Sequence, residues 1–372
     1  MLKHLITIII ITLFANINTA YAKVRGEPKA DSLPSKILAE QRDLLIHLPN
    51  NYQQNTSLSY PVLYLLDGQR NFGHAAGTLD LLNQDGKAQE MIIVAIKNTH
   101  RTRDLTPTYD ESYNQWGISG GADNFLDFIE KELIPYVNKN YRTNNFKILS
   151  GHSLGGLLTV YALQSRPQLF QAHFAFSPSL WWHDQVIFED AENFFTNTAQ
   201  LNNYLYLNLG NESGDMLSAY EQYTQLLSTH TTKGFSYNSD IDKRETHGTS
   251  ALIGLPQAYR YLNTTLQCPK EVVNQGVPAI EQFFKNQSEK YGYQIKPSYR
   301  AINHAGYTAL NNKDIETAIK IFKANVKSYP YKADGYDSLA DGLEANGQLN
   351  EALKMRNMAI KKSLNENVEN NA

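Results

Sequence analysis

A doubly wound, mostly parallel α/β sheet followed by a small all-α region is the architecture that the sequence predicts. Three observations carry that expectation. Short, nearly continuous apolar runs alternate with amphipathic stretches between residues 37 and 241. A serine flanked by glycines lies where one such run ends and the next stretch begins. After about Cys268 the strand-like runs stop and a helical repeat takes over.

Seven segments read as strands: Asp43–Leu48, Pro61–Leu66, Met91–Ile96, Phe146–Leu149, Ala172–Phe176, Tyr204–Leu209 and Phe235–Ile241. A run that is apolar at almost every position suits a strand buried on both faces, which parallel sheets provide because crossover helices cover them. The intervening stretches read as helices. Asn124–Asn140 has apolar residues at 125, 126, 128, 129, 133 and 137, and Leu154–Gln164, Met216–Thr229 and Ser250–Leu262 behave likewise. Recurrence at three and four residues puts these side chains on one face. Strands alternating with helices argue for a parallel sheet covered on both sides.

From Tyr299 onward a 34-residue template fits, with Gly306, Ala318, Phe322 and Pro330 as landmarks and Ala340 and Ala352 one repeat later. That spacing is tetratricopeptide-like: small residues let two helices approach closely. Such hairpins serve either stability or a protein-binding groove, so a protein partner through the repeats is one expectation. The predicted organisation is a signal peptide over residues 1–22, a catalytic domain over 23–268, a helical linker over 269–298 and repeats over 299–366.

The N-terminus predicts export. Lys3 and His4 precede an apolar run from Leu5 to Phe14, and Ala20-Tyr21-Ala22 supplies a cleavage pattern, with the mature chain starting at Lys23. A run this short does not span a bilayer, so a cleaved leader is preferred to a stable membrane anchor. A periplasmic or secreted protein follows. Cys268 is the lone cysteine, so no intrachain disulfide supports the fold. A net charge of −3 with 19% charged residues advertises no nucleic-acid partner.

Ser150-Gly151-His152-Ser153-Leu154-Gly155-Gly156 contains G-x-S-x-G between an apolar strand (FKIL) and a helix pattern (LGGLLTVYALQS). A strand–serine–helix turn of this kind presents the serine hydroxyl at a helix N-terminus, where backbone N–H groups stabilise developing negative charge. Serine is a poor nucleophile until a base takes its proton. The partners of such an elbow follow in the order acid, then histidine. Among the downstream histidines, His247 sits in a loop after the last predicted strand, the expected place for the base. The acid is expected just past Tyr204–Leu209, where Glu212 and Asp215 both qualify; Glu212 comes sooner and is preferred. The backbone N–H groups of Leu154 and Gln69 are the expected oxyanion donors. Trp181, Trp182 and Arg101 are expected substrate contacts, the tryptophans as an apolar wall or as packing.

The stretches PVLYLLDGQRNF, NTHRTRDLTPT, GHSLGG and FAFSPSLWW resemble the Putative esterase family, which includes esterase D-like enzymes, feruloyl esterases and siderophore esterases. The siderophore-esterase branch is the one most resembled, through R-x-R-D-x-T-P and S-P-S-x-W-W. The resemblance covers roughly residues 30–265 and implies an α/β-hydrolase fold, with Ser153 and His247 as nucleophile and base and an acid that varies among members. It also implies hydrolysis of a small-molecule ester, catechol-type siderophore esters included. No arginine-rich pocket follows beyond Arg70, Arg101 and Arg103. No motif calls for a metal or cofactor, and acyl transfer to water needs none. The alternatives are an amidase, peptidase or acyltransferase using the same triad, and a periplasmic binding protein with a vestigial site.

Overall fold

The computed structural model describes residues 28–371 apart from Asn51, Gln54, Asn55 and Thr231, so the leader expected over residues 1–22 lies outside the described residues. The chain forms two compact units. One comprises Pro28–Leu266 with Gln287–Gln294; the other comprises Gln267–Asn286 and the residues from Ile295 onward.

The first unit is built on an eight-stranded sheet of order β1–β2–β4–β3–β5–β6–β7–β8. Its strands are β1 (Lys29–Ser35), β2 (Glu40–His47), β3 (Tyr60–Leu65), β4 (Ile92–Ile96), β5 (Thr143–His152), β6 (Ala172–Phe176), β7 (Tyr204–Leu209) and β8 (Ser236–Ile241). The β1–β2 and β2–β4 pairs are antiparallel, and all the others are parallel. Every residue of β3, β4, β6 and β7 is buried. Burial on both faces is why these strands read as unbroken apolar runs.

Among the elements that the sequence does not reveal are an edge strand and the helix after β3. β1, KADSLPS, is a mostly exposed edge strand with a proline and no apolar run; its pairing with β2 makes it a strand. Helix α1 (Gly68–Gln84) buries Phe72, Ala75, Ala76, Leu79 and Leu82, but Gly68, Gly73 and Gly77 dilute its helical signal. The expected helix Asn124–Asn140 is present as consecutive helical segments from Ala122 to Asn140, with a π-helical turn at Ile129–Leu133. The remaining expected helices are α2 (Leu154–Ser165), α3 (Asp215–Thr229) and α4 (Ser250–Leu266). In a parallel sheet of this kind, the loops at the carboxyl ends of the strands gather functional residues along one edge.

The second unit contains α5 (Tyr299–Asn311), α6 (Ile315–Ser328), α7 (Ala333–Ala345) and α8 (Leu349–Asn371), joined by short turns. Ser298 and Asp314 cap α5 and α6 by accepting the backbone N–H of Ala301 and Thr317. Ala318, Phe322, Ala340 and Ala352 are buried in one cluster. A methyl group on Gly306 would lie 2.3 Å from the Phe322 ring, so that position demands glycine.

Candidate active site

Ser153 lies between β5 and α2 with φ 61° and ψ −119°, a backbone conformation that side chains rarely tolerate. Two close approaches hold it there. A methyl on Gly151 would lie 2.2 Å from the Gly155 carbonyl oxygen, and one on Gly156 would lie 2.8 Å from Pro178 Cα. The Ser153 N–H donates to the Phe176 carbonyl, and its Oγ lies 3.3 Å from Ser179 Oγ. Leu154 follows at the first position of α2, where a backbone N–H has no acceptor within the helix.

His247 sits in the loop between β8 and α4. Its Nδ1 is 2.8 Å from Glu212 Oε2. A carboxylate can only accept, so Nδ1 carries the proton and, in the neutral ring, Nε2 keeps a lone pair for a substrate or hydroxyl proton. Ser177 Oγ donates to Glu212 Oε1 and lies 2.8 Å from Ser250 Oγ. Burial alone would raise the Glu212 carboxyl, but the hydrogen bonds from His247 and Ser177 outweigh it and hold the group below its usual value. Asp215, the other sequence candidate, is an exposed residue opening α3 and makes no hydrogen bond to His247.

A second histidine supports the first. His152 Nε2 lies 2.6 Å from the backbone carbonyl of His247, and the two ring centroids are 4.7 Å apart with the rings tilted. Burial, with the His247 charge adding to it, pushes His152 down to about 4, so the ring is neutral at neutral pH. Only a donor can meet a carbonyl, so its proton sits on Nε2. Arg70 donates to the carbonyl of the next residue, Gly248, at 2.8 Å. The loop bearing His247 is thus tethered through two consecutive backbone carbonyls.

A cavity of about 710 Å³ opens beside these groups, within the usual range for a small-molecule site. Ser153, Leu154, Ser179, Glu212 and His247 are among its lining residues. Tyr113, Trp116 and Trp181 form an aromatic wall, and Arg101, Asp215 and Met216 complete the lining with Ser213. The Tyr113 ring lies 5.2 Å from Trp116 and 5.6 Å from Trp181, tilted against both. Tyr113 and Trp116 were missed from sequence because ESYNQW has no periodicity and no motif; folding of the connection after β4 brings them here.

The expected contacts divide. Trp181 lines the cavity, whereas Trp182 is fully buried and packs at 4.7 Å against Tyr113. The structure therefore corrects Trp182 from a substrate contact to a buried residue packed behind Tyr113. Arg101 lines the cavity, but Nε and Nη2 bond the Asp67 carboxylate at 2.6 and 3.0 Å, and Nη2 also reaches the His152 carbonyl. Arg103 bonds Glu40 and Asp104 instead. Asp67 adopts a left-handed conformation that starts α1, so Gln69 falls in the first turn of α1. Gln69 is exposed, its side chain accepts the Asn98 N–H, and it is absent from the cavity lining. Among the described residues no cluster of side chains suits a metal ion.

A family model described as Putative esterase matches residues 35–225 of the chain. Ferri-bacillibactin esterase BesA of Bacillus subtilis is 31% identical over 161 residues, covering 38% of this chain and 56% of its own length. Siderophore enterobactin esterase of Emericella nidulans is 31% identical over 157 residues, covering 37% of this chain and 52% of its own. The chain thus spans about half the length of these curated relatives. Among solved structures, an IroE-like serine hydrolase from Shewanella oneidensis superposes with a TM-score of 0.70 at 29% identity, covering 82% of this chain and 100% of that one. The BES protein from Bacillus cereus shares the fold, with a TM-score of 0.57 at 24% identity over 63% of this chain and 96% of its own.

Proposed function

Because the chain belongs to the Putative esterase family, we propose that it is a serine ester hydrolase that forms an acyl-enzyme on Ser153. The observation that carries this reading is the 2.8 Å bond from His247 Nδ1 to Glu212, beside a cavity that both Ser153 and His247 line. His247 Nε2 takes the Ser153 proton as Oγ attacks the ester carbonyl. The Leu154 N–H, on the cavity lining, holds the oxyanion. Collapse breaks the carbonyl–alkoxy bond, and Nε2–H protonates the leaving alcohol. Nε2 then deprotonates a water that attacks the acyl group, and the carboxylic acid leaves as the proton returns to Ser153. Glu212 orients His247 throughout. Siderophore-type esters, for which the relatives are named, are the substrate class we put first.

We read the N-terminal 22 residues as a cleaved export signal and the second unit as tetratricopeptide-like; the burial of Ala318, Ala340 and Ala352 supports the latter.

Steady-state hydrolysis of p-nitrophenyl esters by the mature chain tests the reading. Glu212→Gln leaves His247 without its anionic partner, and a fall in kcat of about 10³-fold is expected, against less than tenfold for Asp215→Asn. Equal effects would sink Glu212 as the orienting acid. The lowered Glu212 carboxyl also sets a sign: its contribution to stability is present above the unfolded value and lost as pH falls through the folded one. The acid unfolding advantage of the parent over Glu212→Gln should shrink in that direction.

His152→Phe keeps the ring against His247 but removes its donor. With the loop held less firmly, kcat is expected to drop by about ten- to a hundredfold with KM little changed, and His152→Gln to recover part of the loss. A KM effect without a kcat effect would refute a role through His247.

A further inference from the structure

Ser177 follows β6, is fully buried and is absent from the cavity lining, so a substrate does not reach it. Its φ is 37°, in the left-handed region that favours glycine, and a serine held there carries a conformational cost that glycine would not. What the side chain supplies is a hydroxyl. The ionised Glu212 carboxylate only accepts, so the single Ser177 proton goes to Oε1. The Gly210 N–H lies 3.3 Å from that same oxygen and 3.3 Å from Ser177 Oγ. Oε2 is taken by His247 Nδ1 at 2.8 Å. With one oxygen held from behind and the other on the imidazole, the carboxylate cannot turn about its last bond without losing both contacts.

Ser177 is itself fixed from two further elements. Its N–H donates to the carbonyl of Asn208 in β7 at 2.8 Å, and the Asn208 side-chain amide donates to the Ser250 carbonyl, also at 2.8 Å. Ser250, fully buried at the start of α4, places its Oγ 2.8 Å from Ser177 Oγ and donates to the His247 carbonyl at 3.3 Å. The frame behind Glu212 therefore also ends the loop that bears His247.

We infer that Ser177 is a positioning residue for the reaction: its hydroxyl fixes the rotation of the Glu212 carboxylate so that Oε2 stays on His247 Nδ1. This rests on the ester-hydrolase reading and adds to it a residue that acts only through Glu212. It also accounts for a strained serine at a buried position where glycine would fit the backbone better.

Ser177→Gly and Ser177→Ala both remove the hydroxyl, but only glycine relieves the backbone, so the glycine variant should melt higher than the alanine one. With p-nitrophenyl esters on the mature chain, kcat is expected to fall about tenfold in both, with KM within about twofold of the parent. A kcat that follows the melting temperature instead, lower in alanine than in glycine, marks a structural role and overturns the inference. The deciding measurement places Ser177→Gly in a Glu212→Ala background. A hydroxyl that works through the carboxylate has nothing left to hold there, so its loss should cost less than about twofold, against about tenfold in the parent. A tenfold loss in both backgrounds, or parental kcat in Ser177→Gly, sinks the proposal. Proton NMR of the histidine-labelled chain reads the same contact without turnover. The downfield His247 Nδ1–H resonance expected of the parent should move upfield or broaden in Ser177→Gly and vanish in Glu212→Ala. Should no ester be hydrolysed while this resonance responds to Ser177→Gly, the hydrolase reading fails and the positioning stands; a resonance unchanged in position and width sinks the positioning whatever the turnover.

Discussion

Ser153→Ala is expected to lower ester hydrolysis by about 10⁴-fold or more while leaving the fold intact. Removing the hydroxyl removes the atom that would bond the acyl group, and what survives is turnover supported by binding and oxyanion donors alone. Stability should hardly change, because alanine carries the same Cβ into the same strained turn, φ 61°, and the Oγ makes one long contact, 3.3 Å to Ser179. His247→Ala should match the loss, since a hydroxyl without its base is a weak nucleophile. Labelling by a fluorophosphonate should disappear in both variants. Turnover by Ser153→Ala within tenfold of the parent, with the sample shown to be folded by its thermal transition, would exclude an acyl-enzyme at this position.

Gly151→Ala is expected to destabilise the first unit more than any other single methyl addition near the site. The added carbon would lie 2.2 Å from the Gly155 carbonyl oxygen and 2.3 Å from its carbon, and both are backbone atoms of the first turn of α2. No flexible side chain can yield, so either α2 shifts off the end of β5 or the turn opens. A loss on the order of 3 kcal/mol is expected, which at this size corresponds to roughly 6–12 °C in Tm. Activity should fall further than stability explains, because the turn that aims Ser153 is what deforms. Gly73→Ala is the control: that glycine lies in α1 with nothing within 4 Å of the added carbon, and a small gain of about 0.5–1 kcal/mol is expected there. A Gly151→Ala protein melting within 2 °C of the parent would mean that β5 and α2 do not approach this closely.

Much of this site is local. The turn at Ser153 reads from sequence because a strand, a serine between glycines and a helix are consecutive, and Gly151 answers to Gly155 four residues on, whereas Gly156 answers to the distant Pro178. The buried strands read from sequence as well. Partially buried or edge elements were harder: β1 and α1 owe their form to pairing and packing, not to their own pattern. Glu212 and Asp215 could be narrowed but not separated by order along the chain, since three residues' difference in a loop decides which carboxylate faces His247.

By itself the sequence determined the fold class, the strand-to-helix turn at Ser153 and the short list of its partners, because periodicity, steric demands of glycine and chain order are properties of neighbouring residues. Tertiary structure alone decided that Glu212 bonds His247, that His152 and Arg70 tether the loop bearing it, and that Arg101 is occupied by Asp67. It also decided which tryptophan faces the cavity. Trp181 and Trp182 are adjacent and chemically identical, yet one lines the cavity and the other is buried. The reason is that a wall is assembled from segments distant in sequence, and the direction of a side chain at such a junction is set by whatever packs behind it.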